Sequence, residues 1–180
     1  MLNELCRTHK VIAVQEHWLR EDELNKFSLV HNDFNFHGAS GMMGAAASGL
    51  IRGRPFGGTG FLWHKSLNNF MKFISCDRDN RCIVVKCCIN NFVLLLFNIY
   101  FPCCDNSLEY KDEINYLSGF IEHVLNSHSY DGIVIMGDAN FDIIPGNSGF
   151  DIFNSLLLCL NMVPCDDLVR GPALPTYVNE

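Results

Sequence analysis

Two acidic clusters close two short apolar runs in this 180-residue chain. The first, Gln15-Glu16-His17-Trp18, follows Val11-Ile12-Ala13-Val14. The second, Gly137-Asp138-Ala139-Asn140-Phe141-Asp142, follows Ile133-Val134-Ile135-Met136. A buried strand is stiff, and its last residues sit at the rim of a sheet, where solvent and substrate reach them. A carboxylate there can hold a hard cation and orient a water. Each also has a plainer use: Glu16 can cap a following helix, and Asp138 can close a turn.

The elements that must position these groups can be read from pattern. Leu2 to Lys10 reads as the end of a helix and Val11 to Gln15 as a buried strand. Arg20 to Phe27 is polar with helical spacing. Residues 38–60 are dense in Gly, Ala, Ser and Met and predict a long loop or insert. It lacks the G-x-x-x-x-G-K-[ST] pattern of a Walker loop. Strands are predicted at Gly60 to Trp63, Phe70 to Cys76, Cys82 to Ile89 and Phe92 to Phe101. Asn90-Asn91 between the last two predicts a two-residue hairpin turn, because Asn tolerates positive φ. Tyr110, Ile114, Leu117, Ile121, Val124 and Leu125 form one apolar stripe, so Asn106 to Ser127 predicts a helix, with Asn106 and Glu109 as its capping box. Gly132 to Met136 predicts a buried strand, Phe150 to Leu160 a helix, and Val163 to Val169 an extended segment. The class is α/β or α+β, with helices packed on sheets that contain both hairpins and crossovers.

Composition narrows the rest. Apolar residues make up 48% and charged residues 18%, which excludes a disordered or collagen-like chain and fits a single domain over 1–180. Net charge is −7, unevenly placed. Residues 52–86 carry seven bases and two acids, whereas residues 105–180 carry twelve acids and two bases. A polyanion would meet the middle third first; an ordinary solvated surface fits the same charges. The nine cysteines show no C-x-x-C and no paired zinc spacing. Most sit in apolar runs, and no signal peptide precedes them, so a reducing intracellular compartment is expected. The longest apolar stretch, Phe92 to Pro102, is too short to span a bilayer and contains Asn98, so no membrane partner is expected.

Taken in order, five blocks resemble a known family. They are Val14-Gln15-Glu16-His17-Trp18, Gly57-Gly58-Thr59-Gly60, Asn98-Ile99-Tyr100-Phe101-Pro102, Gly137-Asp138-Ala139-Asn140 and Pro175-Thr176-Tyr177. The chain resembles the endonuclease/exonuclease/phosphatase superfamily, and within it the apurinic-type endonuclease domain of LINE-like, non-LTR retrotransposons. The resemblance implies a four-layer sandwich of two mixed β-sheets flanked by helices. It also implies hydrolysis of phosphodiesters with Mg²⁺ or Mn²⁺, here the nicking of a DNA target strand. A reverse transcriptase domain downstream in the same polyprotein would be the partner, and the nucleus the compartment. Glu16 falls on the metal-binding Glu and Tyr100 on the active-site Tyr. Asp138 falls on the Asp that orients or deprotonates the attacking water, and Asn140 on the Asn that fixes the scissile phosphate. Thr176 falls on a Thr that contacts substrate phosphate. Arg81 opens a strand where relatives often carry Arg, and it would meet a DNA phosphate or serve as an exposed structural Arg. His17 and Trp18 are read as wall or structural residues.

Two parts of the family pattern have no counterpart here: an opening strand with a catalytic Asn, and a closing Ser-Asp-His. The expectation is therefore an incomplete domain, lacking its first and last strands and the catalytic His, and inactive alone. Other readings of the same residues are a catalytically dead binding remnant and a phosphatase for a small phosphoester.

Overall fold

The computed structural model describes residues 2–42, 57–103, 107–141 and 146–163. Helix α1 (Leu2–Thr8) leads into β1 (Val11–Gln15), followed by a 3-10 helix (Glu21–Leu29), β2 (Phe34–Ala39) and β3 (Thr59–His64). Strands β4 (Met71–Cys76), β5 (Cys82–Ile89) and β6 (Phe92–Tyr100) come next. Helix α2 (Leu108–Ser127), β7 (Gly132–Asp138) and α3 (Ser148–Cys159) complete the order. One sheet has the order β1-β3-β2 and is antiparallel throughout. The other has the order β4-β5-β6-β7, antiparallel except for the β6–β7 pair. That parallel pair is bridged by α2, as a parallel connection requires.

Strand alternation builds the layers. In β5 and β6, Cys82, Val84, Leu95, Phe97 and Ile99 face outward onto α2 and α3. Ile83, Val85, Cys87, Leu94 and Leu96 face inward, where Phe61, Val11 and Ala13 of the other sheet meet them. On the far side, Ile12 and Leu62 turn outward against Cys6 of α1 and Phe27 of the 3-10 helix. The result is the expected four-layer α+β sandwich, helices outside and two sheets inside. The seven described cysteines are free, and Cys6, Cys82 and Cys87 are buried among apolar neighbours. Among the described residues, no helix is long and apolar enough to cross a membrane.

Several expected boundaries shift. The segment 38–60 is not loop from its start, because β2 runs through Ala39 and pairs with β3. Two glycines, Gly38 and Gly60, face each other in that pair. The Phe36 ring lies across both, so a side chain at either would collide with it. Glycine and histidine hide this strand from propensity, and the aromatic ring supplies the missing packing surface. Residues 43–56 of the same stretch lie outside the described residues, as do 164–169 of the predicted extended segment. Helix α2 is capped by Ser107, whose hydroxyl accepts from Tyr110 N. The expected cap, Asn106, lies outside the described residues. The polar helical stretch after Arg20 is a 3-10 helix rather than an α-helix. The Asn90-Asn91 turn has φ of 51° and 64°, both left-handed, as the hairpin requires.

One polar residue breaks the inward apolar face. Asn98 is fully buried in β6. Its Nδ2 donates to Val14 O at 2.9 Å and Gly60 O at 2.8 Å, both in the other sheet. Its Oδ1 accepts from Gln15 Nε2. Val14 and Gly60 are ladder partners in β1 and β3 and keep each other's backbone N–H, so removing the amide takes a second donor from their carbonyls and leaves the Gln15 side chain without its acceptor. Asn98→Ala is therefore expected to lower unfolding stability by about 1–3 kcal/mol. Urea denaturation should show a reduced midpoint at unchanged slope; a midpoint equal to wild type would refute the bridge.

Candidate active site

The rim beyond Asn98 gathers the acidic clusters. Two residues along β6 on the same inward face comes Tyr100, and Tyr100 is the register partner of Asp138 in the parallel β7. Register partners lie next to each other across the strand pair, so Tyr100 and Asp138 end β6 and β7 at the same rim. Glu16 arrives from the opposite sheet, directly after Gln15. Tyr100 Oη donates to Glu16 Oε1 at 2.5 Å, closing the gap between the sheets. Glu16 and Asp138 are both solvent-exposed.

Local backbone explains why these side chains reach the rim. Gly137 has φ of 137°, and a side chain there would collide with the Ile99 carbonyl. Only glycine lets β7 come this close to β6 just before Asp138. Asp138 Oδ1 then accepts from Asn140 N at 3.0 Å, and Asn140 Nδ2 donates to Phe101 O at 2.8 Å. Among the described residues nothing else bonds these groups, so Asp138 Oδ2 can take a water, and Asn140 has one amide hydrogen and Oδ1 for a ligand. On the other sheet, Glu16 (φ 50°) and Trp18 (φ 56°) are both left-handed. Non-glycine residues held there cost of order 1–3 kcal/mol each and need support. His17 supplies it. Its Nδ1 accepts from Leu19 N at 3.1 Å, which puts the ring hydrogen on Nε2, facing Ala39 O at 3.2 Å. The ring lies against Gly58, where any Cβ would collide with it, and meets Phe27 and Phe36 edge-on. Burial lowers its pKa, so it is a neutral structural imidazole.

Arg81 lines a cleft of about 440 Å³ beside Tyr100, together with Gly57, Gly58, Pro102 and Glu113. Its guanidinium sits 5.5 Å from the Tyr100 ring centroid and 3.7 Å from Glu113 Oε1. It is thus partly neutralised, although its side chain is 32% exposed and still reaches the cleft. Burial raises the Glu113 carboxyl, and nearby Asp79 adds to this, while Arg81 and Arg78 pull it down. Thr176, Tyr177 and Asp142 lie outside the described residues.

Four further polar residues hold the rim together. Asp77 is buried, and its carboxylate accepts from Asp79 N and Cys82 N, closing the β4–β5 turn. Asn80 (φ 56°) in that turn donates to Ser40 O, while its own carbonyl accepts from Thr59 Oγ1. Ser40, Thr59, Asp77 and Asn80 are all buried. Sequence pattern gave no role to any of them, nor to Asn98. For Asn98 a signal existed: it is the one strongly polar residue inside the apolar run Phe92–Phe101.

No protein-family model and no curated protein matches the sequence. Solved structures do match in shape. An AP endonuclease from Leishmania major superposes with a TM-score of 0.69 at 13% identity, covering 96% of this chain and 63% of that one. The human Nocturnin catalytic domain with bound sulfate anion gives 0.62 at 13% identity, covering 98% and 67%. A 3′ phosphatase from Neisseria bound to product DNA hairpin gives 0.57 at 13% identity, covering 87% and 63%. The fold is that of these structures, two sheets face to face with helices on both outsides. The chain spans less than two thirds of the length of the AP endonuclease and of the 3′ phosphatase.

Within this fold the donor set at the rim fits a hard divalent cation only loosely. No group of three His, Cys, Asp or Glu side chains suited to a metal occurs among the described residues. Among the described residues Glu16 Oε2 has no partner, and the side chain is exposed, which suits an ion such as Mg²⁺ that keeps several of its own waters.

The Tyr100–Glu16 pair has a measurable signature. Burial, then the hydrogen bond to Glu16, pushes the phenol up to about 12 from an ordinary 10.0. The folded protein thus holds this proton more firmly than the unfolded chain. The resulting stability is present below pH 10 and is lost as pH rises toward about 12. In metal-free buffer, Glu16→Gln should bring the Tyr100 titration down but not fully to its ordinary value, since burial is the larger cause. Absorbance at 295 nm, with Tyr100→Phe as the blank, reads this directly. An unchanged titration in Glu16→Gln would mean that the pair does not form.

Proposed function

We propose that this chain is the phosphate-handling part of a divalent-metal-dependent phosphodiester hydrolase, with DNA as substrate. The observation that carries the reading is the meeting of Glu16, Tyr100 and Asp138 at one rim, supplied by two different sheets and fixed by the buried Asn98. Glu16 would hold the cation, whose charge would offset that of the phosphate oxygens. Asp138 Oδ2 would orient a water and receive its proton. Asn140, already anchored to Phe101 O, offers its remaining amide hydrogen to a phosphate oxygen. The Tyr100 phenol, protonated at neutral pH, can turn its hydrogen bond from Glu16 toward charge building on phosphate. Arg81 adds a cation along the cleft wall.

DNA rather than a small phosphoester is supported by the excess of bases over residues 52–86 and by the DNA-bound 3′ phosphatase of the same fold. The Glu16-His17-Trp18 and Gly137-to-Asp142 blocks support the endonuclease of a non-LTR retrotransposon, acting beside a reverse transcriptase. In this reading turnover also needs the histidine of the Ser-Asp-His motif that the resemblance implies, a motif these 180 residues do not contain.

Two measurements test the proposal. With Mg²⁺ or Mn²⁺, the 180-residue chain is expected to leave supercoiled plasmid un-nicked above background. The same chain fused to a Ser-Asp-His-containing C-terminal segment of a related endonuclease is expected to nick, and Asp138→Ala in the fusion to reduce nicking by about 10²–10⁴. Asp138-dependent nicking by the bare chain would overturn the assigned division of labour. Isothermal titration with Mg²⁺ is expected to show no micromolar site, because one carboxylate cannot strip the ion of its waters. A micromolar site lost in Glu16→Gln would contradict that.

A further inference from the structure

Trp18 stands out among the exposed side chains. It is 51% exposed, two residues beyond Glu16. An indole is a large apolar surface to leave in water, and a left-handed backbone is a costly place for it. Both costs fall on the same residue. Trp18 is not loose, however. Its N–H donates to Gly57 O at 3.1 Å, and Gly57 lines the cleft that Tyr100 and Arg81 also line. The half-buried His17 anchors the chain immediately before it. Among the described residues, no ring stacks on the indole and no side chain bonds it. The second tryptophan, Trp63, shows the contrast: it is half-buried, and its Nε1 donates to Asn68 Oδ1.

The distance to the site is short. Two residues of backbone reach at most about 7 Å, about two nucleotide steps of a base-stacked strand at about 3.4 Å each. A phosphate beside Glu16 therefore brings a base one or two nucleotides away within reach of the indole. Every base has a π-face, and aromatic side chains stack on unpaired bases without needing a particular sequence. A small phosphoester without a base would leave the indole unused.

We propose that Trp18 is a stacking platform for an unpaired nucleobase flanking the phosphate held at the rim. The substrate class is thus single-stranded DNA, or a strand locally opened at the nicked position. The proposal rests on the reading of the Glu16–Asp138 rim as a phosphodiester site, and it narrows what that site accepts. It makes Trp18 a substrate-binding residue rather than the wall residue expected from sequence.

The test uses the 180-residue chain and two fluorescein-labelled probes, a twelve-nucleotide deoxyadenosine strand and an abasic strand of the same length. Both carry the same phosphates, and only the first carries bases. Fluorescence anisotropy is expected to show tighter binding of the base-containing strand. Trp18→Ala is expected to weaken that binding by about tenfold to a hundredfold and to erase the difference between the probes, while Trp18→Phe keeps most of it. If Trp18→Ala fails to fold, quenching of tryptophan emission in the wild type replaces it. The deoxyadenosine strand should quench strongly and the abasic strand should not. Equal binding of both strands by the wild type, or unchanged binding in a folded Trp18→Ala, overturns the proposal. The hydrolase reading is decided separately, by Asp138-dependent cleavage in the fusion described above. Cleavage with no base preference would leave that reading standing and sink this one.

Discussion

The Asn98 amide is the interaction on which the rest of the molecule depends. It reaches from β6 to two carbonyls of the opposite sheet and receives the Gln15 side chain in return. Apolar contacts between sheets are non-directional and would tolerate sliding by an ångström. Hydrogen bonds would not. By pinning Val14 and Gly60 to β6, Asn98 fixes where β1 ends relative to β6, and therefore where Glu16 meets Tyr100. The pairing of β6 with β7 carries the same register to Asp138. Three residues spread over more than 120 positions of sequence are thus set by one buried amide and one parallel strand pair.

A second polar layer extends this control to the cleft. Asp77 closes the β4–β5 turn, and Asn80 within it ties that turn to Ser40 and Thr59 of the other sheet. Burial raises the Asp77 carboxyl, and the backbone N–H groups around it pull the other way. Such a group sits in the interior only because its acceptors are used. Arg81 follows directly after this turn, so the cation lining the cleft is placed by the same network.

Much of this was legible from sequence. The alternation of Cys82 to Ile89 and Phe92 to Phe101, the Asn90-Asn91 turn and the stripe of α2 each obey one clear periodicity. The structure follows them closely. The acidic clusters after β1 and β7 were visible for the same reason, since a polar break after an apolar run marks a strand end. What failed to show has a common cause. Strand β2 contains Asn35, His37 and Gly38, and its stability comes from Phe36 covering glycines on two strands, a tertiary arrangement that no local window contains. The roles of Asn98, Asn80 and Asp77 depend on partners up to 84 residues away, so their residue types alone carried no position.

His17 has a consequence of a different kind. Its two ring nitrogens are occupied by Leu19 N and Ala39 O, and its ring is enclosed by Phe27, Phe36 and Gly58. This imidazole, flanked in sequence by Glu16 and Trp18, is therefore withdrawn from proton traffic and acts as a hinge pin. Protonating it would remove the acceptor for Leu19 N and place a cation against the stacked Phe27 and Phe36 rings. Because burial depresses its pKa below 6.5, stability falls as pH drops below that value. Acid therefore loosens the loop that carries both the carboxylate and the indole, through a residue that touches neither.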